Sequence, residues 1–472
     1  MTWAAALLLA APAWAGPGPS FPACKPKTRE QKATFVHVSD LHSSYNPLGA
    51  IESPYARIRG YYESVLKEQP FTLFTDGGDA YEKGSAAEQL SKGRSTRDIM
   101  HAMGFDVRML GNHDFAWGPD ELLAFSRDPR AITLASNVRY KGPSRERFGA
   151  VDYAEVQVGC VKVGCFGLLT RPWNERNEQF DGPYSDEFSM RYDFVERARE
   201  IVEAHRKDVQ LLVMLSHLGL DDDRIVARAV PGIDVVLGAH THDVLWDPQK
   251  EGGALVVQAG HEAAYIARLD LTYDLERSTV SAVSYRLLKN SPGSDLPASR
   301  KLDKTVRKVL KEYAPRLREK AAELKQSRDA AGIGEIAARA ARAVLNVDAV
   351  LIDTGTVWTT WTAGALDQQD LYEAFKVERQ PPDTPGFNSF YTAEVSGAEL
   401  IGLRAGLSYS GPEAIDPGGS YRLALQKSLA ATLAGAKPAG EAWTVLDAYA
   451  AMRTKSCLYL DVEETLEDCR RP

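Results

Sequence analysis

Five short clusters of Asp, Asn and His stand out, because each follows a run of apolar residues. Asp40 and His42 follow the run 34–39, and Asp79 follows the run 71–75 through Gly77 and Gly78. Asn112, His113 and Asp114 follow 106–110. His217 follows 211–215, and His240 and His242 follow 233–237. These side chains offer carboxylate, carboxamide and imidazole donors, with no thiolate among them. Such a set suits zinc, manganese or iron(II) better than soft-metal or cluster chemistry. A single histidine of this kind is more often a core or surface residue than a ligand. Here five of the nine histidines fall in the clusters, and each cluster has the same strand-end context, so together they point to a metal site.

The apolar runs read as β-strands, and that reading decides where the polar residues go. In an open α/β sheet, ligands bind beyond the carboxyl ends of the strands. Five strands would therefore deliver all these side chains to one crevice. Between residues 34 and 291 such runs alternate with helical patterns, an α/β arrangement. Residues 297–327 are dense in Lys, Arg and Glu with apolar residues at helical spacing. They predict a mostly solvated linker helix, bent at Pro315. Its charges are mixed in sign, which argues against a basic binding helix. A second, smaller α/β domain is expected over 330–472, and the chain shows no internal repeat.

At 472 residues the chain is long enough for two or three domains, each with its own core. Apolar content of 44% and charged content of 25% are those of a soluble globular protein. A net charge of −8, without a basic stripe, excludes nucleic acid as the expected partner. An acidic protein still binds phosphate where a metal supplies the positive charge. Residues 1–15 read as a signal peptide: a short apolar run, then Ala13-Trp14-Ala15, with cleavage after Ala15. No Lys or Arg precedes that run, and it is too short to span a bilayer. Residues 16–33 read as a linker. The expected location is periplasmic or secreted. Five cysteines fit an exported protein and leave one unpaired. Cys457 with Cys469 is the first expected disulfide, and Cys160 and Cys165, across a hairpin-like turn, form a second candidate pair.

In this order, Asp40-Leu41-His42, Gly78-Asp79, Gly111-Asn112-His113-Asp114, His217 and Gly238-Ala239-His240-Thr241-His242 resemble the calcineurin-like metallophosphoesterases. Ser39 before Asp40, the stretch 77–85 and the stretch 230–242 resemble the bacterial 5'-nucleotidase branch in particular. The resemblance covers most of 34–290 and extends more weakly over 330–450, where that branch carries its nucleotide-recognising domain. It implies a four-layer α/β/β/α sandwich followed by a smaller α/β domain. It implies two divalent ions, one held by Asp40, His42, Asp79 and His242 and the other by Asp79, Asn112, His217 and His240, with Asp79 bridging. The activity implied is hydrolysis of a small phosphate ester, such as a nucleotide, by in-line attack of a hydroxide bridging the ions. His113 would sit beside them as a catalytic residue, donating a proton or stabilising charge.

Two departures from the branch bear on activity and substrate. The branch usually continues its Asn-His motif to an Asp that orients the histidine; here that position is Ala116, which leaves Asp114 or Asp120 as substitutes. In the second domain an Arg usually grips the nucleotide phosphate; here Trp358 stands in its place. Tyr421, after Gly418 and Gly419, is a candidate base-stacking residue, although an ordinary strand residue is the more common role for such a tyrosine. Trp358, Trp361 and Phe387 would form an apolar pocket, core packing being the alternative for at least one of them. Two other functions stay open: a thiosulfohydrolase of sulfur oxidation on the same fold, and a non-catalytic binding protein.

Overall fold

The computed structural model describes residues 19–25, 27–82, 85–170, 186–380, 384–431, 433–453 and 459–461. The expected signal peptide and the pair Cys457 and Cys469 lie outside the described residues. The chain divides into two units, Met1–Val309 and Leu310–Pro472.

In the first unit β1 (Glu30–Val38) alternates exposed and buried residues at its start, and from Ala33 onward every side chain is buried. That is the pattern of a central strand covered on both faces. There follow α1 (Pro54–Glu68), β2 (Thr72–Asp76), α2 (Ala86–Ser91), α3 (Arg94–Met103), β3 (Val107–Met109), α4 (Pro119–Ser126), β4 (Ile132–Leu134), β5 (Val138–Tyr140), β6 (Tyr153–Val158) and β7 (Val161–Leu169). The unit continues through β8 (Phe188–Met190), α5 (Phe194–His205), β9 (Leu211–His217), α6 (Leu220–Ala229), β10 (Val235–Gly238), β11 (Gln249–Glu251), β12 (Ala254–Gln258), β13 (Tyr265–Asp274) and β14 (Thr279–Lys289). One six-stranded sheet has the order β14-β13-β1-β2-β3-β4, with β1 to β4 parallel. The other has the order β11-β12-β10-β9-β7-β6, with β12, β10, β9 and β7 parallel.

The two sheets pack face to face. A Cβ added to Gly167 on β7 would lie 2.9 Å from Leu134 on β4 and 3.4 Å from Met109 on β3, so this glycine lets the sheets approach. Helix α1 covers the first sheet, and its Tyr62 ring stacks on Phe74 of β2 at 4.6 Å. Helices α5 and α6 cover the second, burying Ala198, Ile201, Val226 and Ala227 against Leu212, Met214 and Val236. The result is the expected α/β/β/α sandwich. All five strands that precede the polar clusters, β1, β2, β3, β9 and β10, are parallel members of these two sheets.

Helix α7 (Arg300–Tyr313) crosses the boundary between the units, burying Leu302, Val306 and Val309 at helical spacing. The expected linker helix over 297–327 is therefore too long. Pro315 has no amide hydrogen to continue the ladder, and it disfavours helical backbone in the residue before it. Beyond Pro315 the chain enters β15 (Lys320–Leu324), whose Ala322 and Leu324 are buried at the period of a strand.

The second unit continues with α8 (Ala330–Leu345), β16 (Ala349–Ile352), β17 (Gly364–Asp367), α9 (Gln368–Tyr372), β18 (Glu378–Gln380), β19 (Thr384–Gly386), β20 (Ser389–Ser396), α10 (Gly397–Leu403), β21 (Ser408–Ser410), β22 (Ser420–Gln426), α11 (Lys427–Ala430), β23 (Lys437–Glu441) and α12 (Ala442–Met452). Strand β15 pairs antiparallel with β17. The larger sheet of this unit has the order β21-β16-β22-β20-β23. Helix α8 starts where the Asp329 side chain accepts the Gly332 amide, an N-cap, and its alanine-rich face packs on Val350 and Ile352. Among the described residues no helix is long and apolar enough to cross a membrane.

Cys160 does not pair with Cys165 as expected. Cys24 is bonded to Cys160, 136 residues away, and Cys165 is buried with its thiol free. Cys160 sits at the β6–β7 turn, and Cys165 lies five residues along β7. At about 3.3 Å per residue that separation exceeds the roughly 7 Å a disulfide spans. The expected linker 16–33 is thus tethered through Cys24, and its last four residues belong to β1.

Candidate metal centre

Each polar cluster begins where a parallel strand runs out, and the loops are tied to one another. The Asp40 amide donates to Gly78 O at 2.9 Å, and the His42 amide donates to Asp79 O at 3.0 Å. The carboxylate of Asp114 accepts the amides of Ala80 and Gly111, both at 2.8 Å, and so clamps the loops after β2 and β3 together. Gly111 has no room for a side chain: a Cβ there would fall 2.2 Å from Asp79 Oδ1. This close approach lets the His113 amide donate to Asp79 Oδ1 at 2.7 Å.

Seven side chains converge. Ligand atoms of Asp40, His42 and His242 lie within 4.8 Å of one another, as do those of Asp79, His217 and His240. Asn112 Oδ1 lies 3.1 Å from His217 Nε2. Asp79 Oδ2 is 3.0 Å from His217 Nε2 and 3.9 Å from His42 Nε2, so it faces a histidine of each group. Asp40, His42, Asp79, Asn112 and His217 form a buried floor, while His113, His240 and His242 are half-buried at its rim.

The donor set fits cations. His217 Nδ1 donates to Gly77 O at 2.8 Å, which turns the lone pair of Nε2 toward the oxygens of Asp79 and Asn112. His42 Nδ1 donates to Tyr81 O at 2.9 Å, and its Nε2 faces His242 Nε2 at 3.2 Å. Backbone carbonyls that orient ligand imidazoles in this way are a hallmark of metal sites. The backbone points the same way. Asp40, His42, Asp79, His240 and His242 all have positive φ, between 44° and 77°. Non-glycine residues rarely adopt that conformation, and it gathers at functional sites.

Residues 33–244 match the family model described as calcineurin-like phosphoesterase. Over that stretch the chain is similar to the calcineurin-like phosphoesterases. It is 25% identical to bovine 5'-nucleotidase over 299 residues, which cover 56% of this chain and 51% of that protein. It is 24% identical to the uncharacterized metallophosphoesterase YunD of Bacillus subtilis, with 73% of each chain covered. The chain thus spans about half the length of the vertebrate 5'-nucleotidases it matches. Its fold resembles that of a 5'-nucleotidase precursor from Thermus thermophilus, with a TM-score of 0.63 and 20% identity over 93% of this chain and all of that one. It also resembles the sulfate thiohydrolase SoxB of that organism, with a TM-score of 0.61 and 16% identity over 88% of this chain and 93% of that one.

Charge in the site follows from crowding. Burial pushes the Asp40 carboxyl up to about 7, against the pull of His217. Burial also works against ionised Asp79, yet His217, His113 and His42 outweigh it and hold this carboxylate well below its usual range. The other side of that interaction is His217, which burial would lower but Asp79 pushes up; a cation on Nε2 would take the place of the proton that Asp79 favours there. Burial, with His217 adding to it, lowers His240 to about 4, which keeps it neutral and able to ligate.

His113 has a partner that the sequence reading missed. Its Nδ1 is hydrogen-bonded to the carboxylate of Glu82, in the loop after β2. Neither expected substitute does this. Asp114 has its two oxygens on the Ala80 and Gly111 amides, and Asp120 is exposed and pairs with Arg147 at 3.0 Å. The one available signal was an acid three residues beyond Asp79 in the same loop.

In the second unit the three aromatic rings go to three environments. Trp361 is buried in the core under α8, its Nε1–H donating to Asp370 O at 3.2 Å. Phe387 packs against Tyr372 and Trp443. Trp358 is 53% exposed, with Lys376 Nζ 5.8 Å from its ring centre. The expected shared pocket is not formed by these three. Tyr421 lies on β22, and its hydroxyl accepts the Asp416 amide at 2.8 Å, so it fastens a turn.

Proposed function

We propose that this protein is a two-metal hydrolase of phosphate esters, of the 5'-nucleotidase type. The observation that carries the reading is the pair of donor groups at the ends of five parallel strands, with Asp79 between them. Asp40, His42, Asp79 and His242 would hold one divalent ion, and Asp79, Asn112, His217 and His240 the other. Zinc, manganese and iron(II) all suit these ligands. Such ions, when bound, neutralise phosphoryl oxygens and lower the pKa of water. The chain's own part is to set the separation of the two sites through Asp79, to orient His42 and His217 through backbone carbonyls, and to place His113 at the rim beside the reacting phosphoryl group.

The substrate is a small phosphate ester, with the nucleotides named by its relatives the first to test. The Cys24–Cys160 disulfide supports an oxidising compartment, periplasmic or extracellular, which accords with a signal peptide over 1–15. The test is metal analysis of protein purified without added ions, followed by p-nitrophenyl phosphate and AMP assays before and after chelation. Hydrolysis that chelation abolishes and Mn²⁺, Zn²⁺ or Co²⁺ restores is the expected result. Full activity in metal-free protein would refute the mechanism. Sulfate release from a thiosulfonate in place of phosphate release would move the chain to the thiosulfohydrolase reading. Metal binding with neither activity would leave a binding protein.

A further inference from the structure

We infer that Glu82 is the positioning residue for His113, and that a relay from Trp117 through Glu88 holds Glu82 in place. This deepens the phosphoesterase reading and rests on it. Glu82 is 4% exposed and its carboxylate meets His113 Nδ1. A carboxylate only accepts, so Nδ1 carries the hydrogen and the ring is held by that edge. His113 then stands edge-on to His42, their centroids 5.1 Å apart and their planes at 85°.

Glu82 is presented on left-handed backbone, with φ of 67°. Its amide donates to Glu88 Oε1 at 2.8 Å. Glu88 is fully buried, and its Oε1 also accepts the Trp117 Nε1–H at 2.8 Å, while Oε2 accepts the Thr96 hydroxyl at 2.8 Å. Gly93 makes room for the indole: a Cβ there would lie 2.6 Å from the Trp117 ring. Trp117 directly follows Ala116, which offers no carboxylate to the histidine. The same stretch of chain thus supplies the donor that, through Glu88, fixes a carboxylate delivered from the neighbouring loop. A glutamate buried only to anchor its loop would have no reason to spend its carboxylate on the imidazole at the rim of the metal centre.

The test compares the metal-loaded wild type with E82Q, E82D, H113A and the double variant E82Q/H113A. We expect E82Q to lower kcat at least about tenfold, a modest share of what general acid–base groups contribute. KM should stay within about twofold, and metal content and melting temperature should be unchanged. E82D should recover part of the loss. The decisive arm is the cycle: E82Q should cost nothing further in the H113A background, because its effect passes through that ring. An E82Q loss of equal size with and without His113 would overturn the inference, as would wild-type kcat in E82Q. Should E82Q fold poorly, W117F carries the same test, with a smaller kcat loss that again vanishes beside H113A. A second readout is independent of turnover. In protein labelled with ¹⁵N-histidine, one strongly downfield Nδ1–H proton should be present in the wild type, move upfield in E82Q, where a neutral carbonyl replaces the carboxylate, and be absent in H113A. An unchanged position in E82Q would overturn the contact. A wild type inert toward every ester would fail the phosphoesterase reading, and the NMR arm would still decide the orientation of His113.

Discussion

Asp79 is the residue on which the two donor groups depend together. Its Oδ1 accepts the His113 amide and its Oδ2 faces His217 and His42. Asp79→Asn keeps the shape and removes the formal charge, so it should empty both metal positions and abolish hydrolysis. Elemental analysis would check this, and a variant that keeps two ions per chain would contradict it. Ala116→Asp tests the neighbouring histidine from the other direction. With Glu82 already on Nδ1, the added carboxylate should change kcat less than about twofold in the wild type, yet restore much of the kcat lost in E82Q. At this scale the sequence was legible wherever a ligand follows a strand, because the apolar run announces the strand and the strand's end fixes the ligand's place. Glu82 was not legible. Its partner lies 31 residues away, and nothing in the loop's composition marks one acid as facing a histidine.

Among the elements, the five strands that carry the site were clear from continuous apolar runs, while the stretch after Tyr313 was not. Residues 314–327 continue the charge density of α7, and only burial of Ala322 and Leu324 at period two separates a strand from a further helical turn. Glu88 on α2 makes a testable contribution to stability. Burial raises the Glu88 carboxyl from 4.5 to about 8, against hydrogen bonds from Trp117, the Glu82 amide and Thr96. Between those two values the unfolded chain has lost the proton that the folded chain keeps. The folded state therefore binds more protons there, and stability falls as pH rises from about 4.5 through about 8. Glu88→Gln accepts from Trp117 and the Glu82 amide through its carbonyl and turns its NH₂ toward Thr96, which a hydroxyl can accept. It should flatten the dependence of unfolding free energy on pH across this window. Denaturant titrations of wild type and variant at pH 5, 6.5 and 8 would show it, and parallel slopes would refute it.

For the whole molecule, the expectation concerns which esters it prefers. The fold likeness extends over 93% of the chain, the second unit included, and there Trp358 stands where a phosphate-gripping Arg was expected. An indole has one neutral donor where a guanidinium offers a bidentate charged grip on phosphate. Losing one charged hydrogen-bonding pair costs about 1.5–3 kcal/mol, or roughly 10–150-fold in affinity. Tyr421, the candidate stacking residue, has its hydroxyl on the Asp416 amide, which holds the ring at a turn. The protein should therefore discriminate little between AMP and p-nitrophenyl phosphate, and Trp358→Arg should tighten AMP. A wild-type preference for AMP of a hundredfold or more would show that other residues read the nucleotide. The sequence exposed the missing Arg because a motif defined the position. It could not show that Trp361 is core and Trp358 is surface, since both sit in a short stretch without periodicity.

The left-handed backbone at Asp40, His42, Asp79, His240 and His242 also says something about time. Each such residue costs about 1 kcal/mol or more, so five cost roughly 5 kcal/mol. That is comparable to the whole net stability of a domain at the low end of its usual range, about 5–15 kcal/mol. The parallel strands below carry no such cost, so they should form first and the loops settle last, once cations repay the strain. In the chelated protein, amide hydrogens that join the loops, those of Asp40, His42, Ser43 and Glu262, should exchange with solvent much faster than those of β1 and β9. Adding Mn²⁺ or Zn²⁺ should slow the first group and leave the second unchanged. Mass spectrometry of deuterium uptake would read this ordering directly, and equal protection of loops and strands without metal would show that the scaffold alone holds the ligands in place.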